Sequence, residues 1–103
     1  MAIVRTDIPI TSAASEQYIK ALVSTYPFLR TEVLTTTAFQ RPVSTLVAGN
    51  GPRKVIFSAS HHANEWITSL VLLKFAEELA EAIQSGGEIA GQNATALSEA
   101  VTI

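Results

Sequence analysis

Apolar residues recur at helical spacing in two stretches of the chain. The first stretch predicts a helix from Ser12, a candidate N-cap, to Tyr26, because Pro27 prevents the helix from continuing. The second predicts a longer helix from Glu65 to Ile83, with charged residues on the opposite face. The apolar positions that carry these predictions are Tyr18, Ile19, Leu22, Val23 and Tyr26 in the first stretch, and Ile67, Leu70, Val71, Phe75, Leu79 and Ile83 in the second.

Three further stretches have the character of β-strands. Residues Thr31–Phe39 and Val43–Ala48 are rich in Thr and Val, which predicts two strands paired as a hairpin. The tetrapeptide Gly49–Pro52 is a strong turn signal, because Asn and Gly tolerate positive φ and Pro cannot continue a strand ladder. After it, the short and almost unalternating apolar run Lys54–Ser60 predicts a strand covered on both faces.

The end of the chain predicts one more helix and the beginning of a strand. Gly86 suits the left-handed position after the second helix, and Glu88–Asn93 is small and polar, as in a loop. Ala94–Ala100 predicts a short helix that leads into a strand at Val101–Ile103. The whole order predicts an α/β fold with a partial mixed β-sheet and flanking helices.

Length and composition limit the classes of protein to which this chain can belong. A chain of 103 residues suits one domain. With 48% hydrophobic and 16% charged residues it lacks the compositional profile of an intrinsically disordered chain, so we expect it to fold at least in part. The net charge of −2, with scattered basic residues, argues against a nucleic-acid partner. The absence of Cys excludes disulfides and thiol catalysis, so a metal site must use His and carboxylates.

The opening ten residues do not resemble a targeting segment. MAIVRTDIPI lacks the apolar core of a signal peptide and the length of a membrane span. We therefore expect no membrane partner, and the localisation stays open between the cytoplasm and the cell wall.

The concentrated chemistry lies in Ser60–Trp66, which holds both histidines of the chain at the predicted junction of strand and helix. Ligands of α/β sheets bind beyond the carboxyl ends of strands, so this junction is the candidate site. His62 leaves the strand and Glu65 enters the helix, so the two side chains can converge on one zinc ion. The positive end of the helix dipole favours a charged Glu65.

The same residues allow a reading without a metal. A His followed by an acid three positions later arises by chance in roughly one chain in six of this composition. His61 and His62 are equally consistent with solvated loop residues, and Glu65 with an ordinary acid of a first helical turn.

The segment from His62 to Thr68, following KVIFSAS, resembles the zinc-binding turn of the metallocarboxypeptidases. The order of the matching segments resembles the bacterial branch that includes γ-D-glutamyl-L-diamino acid endopeptidases of the cell wall. The resemblance covers most of Tyr18–Ile83 and implies that residues 1–103 are the N-terminal portion of a single catalytic domain. The other matching segments are Tyr26–Leu29, Gln40–Val43, Val47–Gly51 and Leu72–Phe75.

The resemblance also implies roles for individual residues. His62 and Glu65 match the family's first two zinc ligands, and Asn64 matches a position that lines a substrate subsite. Arg41 matches the Arg of the family's Gly-Arg-Pro stretch, but Gln40 replaces the Gly here, so a role in stabilising the turn is equally open. The family's third zinc ligand and its general base have no match in this chain.

The resemblance implies a zinc-dependent peptidase that cleaves an amide bond near a free carboxylate or a D-glutamyl link, in a peptide or a peptidoglycan peptide. We expect this chain to be inactive on its own. Aspartoacylase-like hydrolysis of N-acyl amino acids also uses His-x-x-Glu, but the context of Ala63, Asn64 and Trp66 favours the peptidase. A binding module without catalytic activity is the alternative of a different class. A reading frame that continues past Ile103 into a His-bearing segment would favour the enzyme.

Self-association is a further expectation. Two groups of apolar residues have no predicted cover within the chain: the run Lys54–Ser60, and residues of the second helix beyond its main stripe. The residues of the second group are Trp66, Leu72, Leu73 and Ala76. A net charge of −2 is too small to oppose association between copies strongly.

Overall fold

Helices and small β-sheets alternate along residues 2–103, the part of the chain that the computed structural model describes. The fold is α/β with both antiparallel and parallel strand pairing, as the sequence predicts. The elements are α1 (Ser12–Thr25), β1 (Arg30–Thr36), β2 (Pro42–Val47), β3 (Arg53–Lys54), a 3-10 turn (Ala63–Glu65), α2 (Trp66–Ser85), β4 (Glu88–Ile89), β5 (Gln92–Asn93), α3 (Ala94–Ala100) and β6 (Val101–Thr102).

Helix α1 begins one residue away from the predicted cap. The side chain of Thr11, rather than that of Ser12, accepts a hydrogen bond from the backbone N–H of Ala14 at 3.0 Å. The helix ends at Thr25, although the N–H of Tyr26 still donates to the carbonyl of Leu22 at 2.8 Å. Pro27 accounts for this end, because the residue before a proline is disfavoured in the helical conformation.

Strands β1 and β2 form the predicted antiparallel hairpin, with Arg30 opposite Val47 and Thr36 opposite Pro42. The register shifts between Val33 and Thr35, as at a β-bulge. Every residue of β1 is exposed, so this hairpin contributes little to the core through its first strand.

Strand β6 confirms the strand predicted at the end of the chain. It pairs in parallel with β3, and Ile103 exchanges two backbone hydrogen bonds of 2.8 Å with Ala48. The segment therefore lies between β3 and the continuation of β2. Gly51 permits this approach, because a Cβ atom at that position would overlap the backbone of Ala100 and Val101.

The predicted strand Lys54–Ser60 is wrong for most of its length. Only Arg53–Lys54 belongs to a strand, and the ladder continues through one more bond, from the N–H of Val55 to the carbonyl of Thr102 at 2.9 Å. Beyond it, Ile56 is 90% exposed and Phe57 is 54% exposed. The physical reason is the short length of the partner strand. Strand β6 pairs through two residues only, so the backbone after Val55 has no strand among the described residues with which to pair.

The core lies between α1, α2 and α3. Leu22 and Ala80 are fully buried there, and the Val4 side chain joins them from the segment before α1. The carboxylate of Glu77 is also buried; it accepts hydrogen bonds from the backbone N–H groups of Ile3 and Val4 and from the ammonium group of Lys74. A buried carboxylate with three donors satisfies the requirement that buried charge be paired.

The segment after α2 departs in one respect from the prediction. Gly86 has φ 72° at the end of α2, as predicted. The predicted loop Glu88–Asn93 is instead a small hairpin, β4 and β5, joined by Ala90 and Gly91 at φ 49° and 78°. Two successive residues of positive φ form a tight hairpin turn, which the polar composition of the segment did not predict.

Among residues 2–103 no helix is both long and apolar enough to span a bilayer.

Candidate metal centre

The candidate site is the turn that links the exposed segment after β3 to helix α2. The 3-10 turn Ala63–Glu65 follows His62, and the N–H of Glu65 donates to the carbonyl of His62 at 3.0 Å. Glu65 is then the N-terminal flanking residue of α2. This hydrogen bond folds the turn back on itself, so the side chains of His62 and Glu65 emerge close together.

The two side chains meet at hydrogen-bond distance. Nδ1 of His62 lies 3.1 Å from Oε1 of Glu65, and the side chains are 76% and 45% exposed. Two donors of a tetrahedral zinc site, each about 2.1 Å from the ion, lie about 3.4 Å apart. An imidazole nitrogen and a carboxylate oxygen at this separation fit two positions of such a site, and both are open to solvent.

His61 faces a different partner. Its Nε2 atom lies 2.8 Å from the hydroxyl of Ser58, on the side of the segment that precedes the turn. The adjacent histidines therefore have separate surroundings: His62 pairs with the acid of the turn, whereas His61 pairs with a hydroxyl.

Asn64 and Arg41, the two residues for which the resemblance implied contact with substrate, lie in different places. Asn64 is an exposed residue within the 3-10 turn, between His62 and Glu65 in sequence. Arg41 lies at the turn of the β1–β2 hairpin, and no hydrogen bond or ion pair among the described residues joins it to the His62–Glu65 turn. The structure thus groups Asn64 with the candidate ligands and leaves Arg41 in the hairpin.

The residue before Arg41, Gln40, lies in the tight turn of the β1–β2 hairpin. The N–H of Thr37 donates to the carbonyl of Arg41 at 2.7 Å, and the N–H of Arg41 donates to the Thr37 hydroxyl at 3.2 Å. Between them, Gln40 has φ 64°. A glycine adopts this conformation without the steric cost of a side chain, so Gln40 occupies a position that glycine suits. These contacts involve the backbone of Arg41, so both roles considered for its side chain, substrate binding and turn stabilisation, stay predictions.

Three hydroxyl side chains beside the turn were missed by the sequence reasoning. Ser60 has φ 55°, and its N–H donates to the hydroxyl of Thr68 at 2.8 Å. The Thr68 hydroxyl donates in turn to the carbonyl of Glu65 at 2.8 Å, and Ser69 lies against the Ser60 hydroxyl. The pattern of hydroxyl residues at the start of α2 was a usable signal, because Ser and Thr bond to carbonyls three or four positions earlier.

No third candidate ligand adjoins the pair within the described part of the chain. Among residues 2–103 there is no cluster of three or more His, Asp or Glu side chains arranged to hold a metal ion. The geometry therefore presents two donors, His62 and Glu65, on an exposed turn at the start of a helix.

Comparison with known proteins defines the class of the chain. Residues 15–96 match the zinc carboxypeptidase family, and this match covers most of the sequence and includes the His62–Glu65 turn. The chain belongs to the zinc carboxypeptidase family.

Two curated relatives are similar to it. Gamma-D-glutamyl-L-diamino acid endopeptidase 1 of Lysinibacillus sphaericus is 33% identical over 73 residues, which cover 71% of this chain and 18% of the relative. The uncharacterized protein YqgT of Bacillus subtilis (strain 168) is 40% identical over 68 residues, which cover 64% of this chain and 18% of that protein. The chain thus spans less than a fifth of the length of the curated relatives that it matches. No solved structure matches significantly.

Proposed function

We propose that His62 and Glu65 are two of the ligands of a zinc ion in a peptidase of this family. The observation that carries the proposal is the 3.1 Å separation of His62 Nδ1 and Glu65 Oε1 on an exposed turn. The family match supports the choice of zinc, because imidazole and carboxylate are ligands that zinc accepts. The third ligand and the general base would come from outside these 103 residues, so residues 1–103 would be the N-terminal portion of one catalytic domain.

A zinc ion bound at this turn would polarise the scissile carbonyl and bring the pKa of a water molecule to about 7. The residues of this chain would hold the zinc ion and orient the substrate. Glu65 contributes a negative charge that offsets part of the charge of a divalent cation, and the N-terminus of α2 stabilises that charge. Asn64 offers an amide with both donor and acceptor capacity beside the ligands, which suits the recognition of a substrate amide or carboxylate. Arg41 is a second candidate for substrate binding in the assembled domain.

The proposed substrate is a peptide cleaved next to a free carboxylate or at a γ-D-glutamyl link, including a peptidoglycan peptide. The proposal of a γ-D-glutamyl link is supported by the name of one relative, a gamma-D-glutamyl-L-diamino acid endopeptidase. The more general proposal of a peptide substrate is supported by the family to which the chain belongs.

Zinc content measured on four proteins tests the assignment of the ligands. In any context where the metal site forms, we expect wild type to contain bound zinc and both His62→Ala and Glu65→Ala to lose it. His61→Ala is the matched control, because it removes a neighbouring imidazole that pairs with Ser58 instead of Glu65. An equal loss in His61→Ala would contradict the assignment of the ligands.

A second experiment tests the division of the catalytic machinery. We expect the chain on its own to bind zinc weakly and to hydrolyse neither C-terminal nor γ-D-glutamyl peptides, because it supplies two ligands where catalytic zinc sites use three from the protein. Tight zinc binding, or zinc-dependent turnover by these 103 residues alone, would overturn this part of the proposal.

A further inference from the structure

The chain reverses sharply just before the candidate ligands, at a residue that is not glycine. Ser60 has φ 55°, in the left-handed region that serine rarely adopts. Such a conformation costs free energy and is kept only where surrounding contacts hold it. Here the contacts come from the first turn of α2, where the hydroxyls of Thr68 and Ser69 approach Ser60.

The Thr68 hydroxyl joins the two ends of the ligand turn. It accepts a hydrogen bond from the N–H of Ser60 at 2.8 Å and donates one to the carbonyl of Glu65 at 2.8 Å. A hydroxyl has one proton to donate and lone pairs to accept, so both bonds form at once. The residues between these ends, including His62, are thereby closed into a loop with the hydroxyl as its bridge.

The Ser60 side chain adds a second link to the same carbonyl. Its hydroxyl donates to the carbonyl of Glu65 at 3.2 Å, while the Ser69 hydroxyl lies within hydrogen-bond distance of the Ser60 oxygen. In this arrangement the Ser69 hydroxyl donates to the Ser60 oxygen, and the Ser60 hydroxyl donates to the carbonyl of Glu65. Two independent hydroxyls therefore hold the backbone of the residue whose carboxylate is a proposed ligand.

We propose that Ser60, Thr68 and Ser69 form a positioning clamp that fixes the His62–Glu65 turn in the conformation that binds zinc. The inference rests on the proposed function for its purpose, but the clamp itself is a property of the unliganded chain. These residues are positioning residues, because they act through the backbone that carries the two ligands. Partners that orient metal ligands typically change metal affinity by about ten- to a hundredfold when removed.

Thr68→Val is the informative variant, since valine keeps the branched shape and removes both hydrogen bonds. Thr68→Ser is the conservative partner, because it restores the hydroxyl. Thr95→Val is the matched control, an exposed threonine in α3 away from the turn. Thermal unfolding of all three, compared with wild type, establishes that each variant folds.

The first readout needs no metal. The N–H of Glu65 closes the ligand turn by its bond to the carbonyl of His62. In Thr68→Val we expect the amide hydrogen exchange of Glu65 and Ser60 to accelerate by about fivefold or more, whereas exchange at Gly87 stays unchanged. Thr68→Ser and Thr95→Val should exchange at Glu65 as wild type does. Unchanged exchange at Glu65 in Thr68→Val would overturn the clamp.

The second readout is zinc affinity by calorimetry. We expect Thr68→Val to bind zinc about tenfold or more weakly than wild type and Thr68→Ser to bind within about threefold of it. If His62→Ala loses zinc but Thr68→Val binds zinc as wild type does, the positioning role of the clamp is refuted, whereas the assignment of His62 as a ligand is supported. If the wild-type chain binds no measurable zinc, two ligands without the third do not hold the ion, and the amide exchange of Glu65 and Ser60 decides whether the clamp orders the turn.

Discussion

Two regions of the molecule have similar apolar sequences and opposite surroundings. The packed body comprises α1, α3 and the second half of α2, where Leu22 is fully buried. The open edge comprises Val55–Ile67, where Ile56 is 90% exposed and Ile67 is 58% exposed. The difference shows that apolar residues are buried only where another element is available to cover them. In the body α2 packs against both α1 and α3, whereas at the edge β3 has one short partner.

The candidate metal centre lies on the open edge. The His62–Glu65 turn is held by local hydrogen bonds, to Ser60, Thr68 and its own backbone. Thr68 belongs to α2, whose Leu70 packs in the same core as Leu22. We therefore expect the turn to tolerate substitutions in the body that leave α2 folded. It should respond instead to changes in the few hydroxyls and carbonyls beside it.

The largest expected effect contrasts two aliphatic truncations. Leu22→Ala should lower the free energy of unfolding by about 2–5 kcal/mol, because it leaves a cavity in the packed body. Ile56→Ala on the open edge should change it by less than about 0.5 kcal/mol. Urea unfolding of both variants at a protein concentration low enough to keep the chain monomeric gives the comparison. Equal losses there would show that Ile56 is buried within the monomer.

The second effect concerns the buried carboxylate of the body. Glu77→Gln should lower the free energy of unfolding by about 1.5–3 kcal/mol, because the carboxylate accepts bonds from two backbone N–H groups and Lys74. Glu78→Gln is the matched control, since Glu78 is the exposed neighbour. Similar losses in both variants would contradict the role assigned to Glu77.

The same residue predicts a dependence on pH. Burial raises the pKa of Glu77, but hydrogen bonds from Ile3, Lys74 and Val4 outweigh burial and hold the pKa below its usual range. A pKa that is lower in the folded state means that the unfolded chain binds more protons. The contribution of Glu77 is thus complete above about pH 4.3 and is lost as pH falls through the folded pKa. The wild-type stability curve should be steeper than that of Glu77→Gln in this range, and parallel curves would contradict the prediction.

The third effect tests association through the open edge. We expect wild type to self-associate, because Ile56, Phe57 and Val71 are exposed together with an unpaired strand edge. Ile56→Ser should weaken the association by about tenfold, which corresponds to about 1.4 kcal/mol. Light scattering after size exclusion at several concentrations gives the masses. A single monomeric mass for wild type across that range would contradict the expectation and favour a self-sufficient domain.

The smallest effect separates backbone conformation from packing within the body. Gly86 ends α2 with φ 72°, and a Cβ atom there would meet nothing within 4 Å. Gly86→Ala should therefore cost about 1 kcal/mol of the free energy of unfolding, from backbone strain alone. Chemical unfolding of this variant measures it. A loss comparable to that of Leu22→Ala would mean that the glycine has a close neighbour.

The sequence predicted the body well and the edge poorly, for a physical reason. Periodicity located α1 and α2 because a helix forms its hydrogen bonds within one segment. The run Lys54–Ser60 has the composition of a covered strand, but a strand requires a neighbour, and composition does not reveal how long that neighbour is. The left-handed Ser60 and Gln40 were also not predicted, because neither residue type favours positive φ and the conformation of each depends on the contacts of its own turn.

The candidate ligands could be predicted from spacing and resemblance because both lie in one short turn. His62 and Glu65 are three residues apart on a single turn, so their separation in sequence already predicts that the side chains lie near each other, and the observed distance is 3.1 Å. The separation of His61 could not be predicted in this way, since it depends on the hydroxyl of Ser58 across a bend in the chain.

Nitrogen-15 NMR of the imidazole rings during a zinc titration distinguishes the two histidines as ligands. We expect the Nδ1 resonance of His62 to shift with added zinc, because this nitrogen faces Glu65. The ring nitrogens of His61 should not move, and Glu65→Ala should suppress the His62 shift. A zinc-dependent shift at His61 equal to that at His62, or a His62 shift that persists unchanged in Glu65→Ala, would contradict the assignment of His62 and Glu65 as a ligand pair.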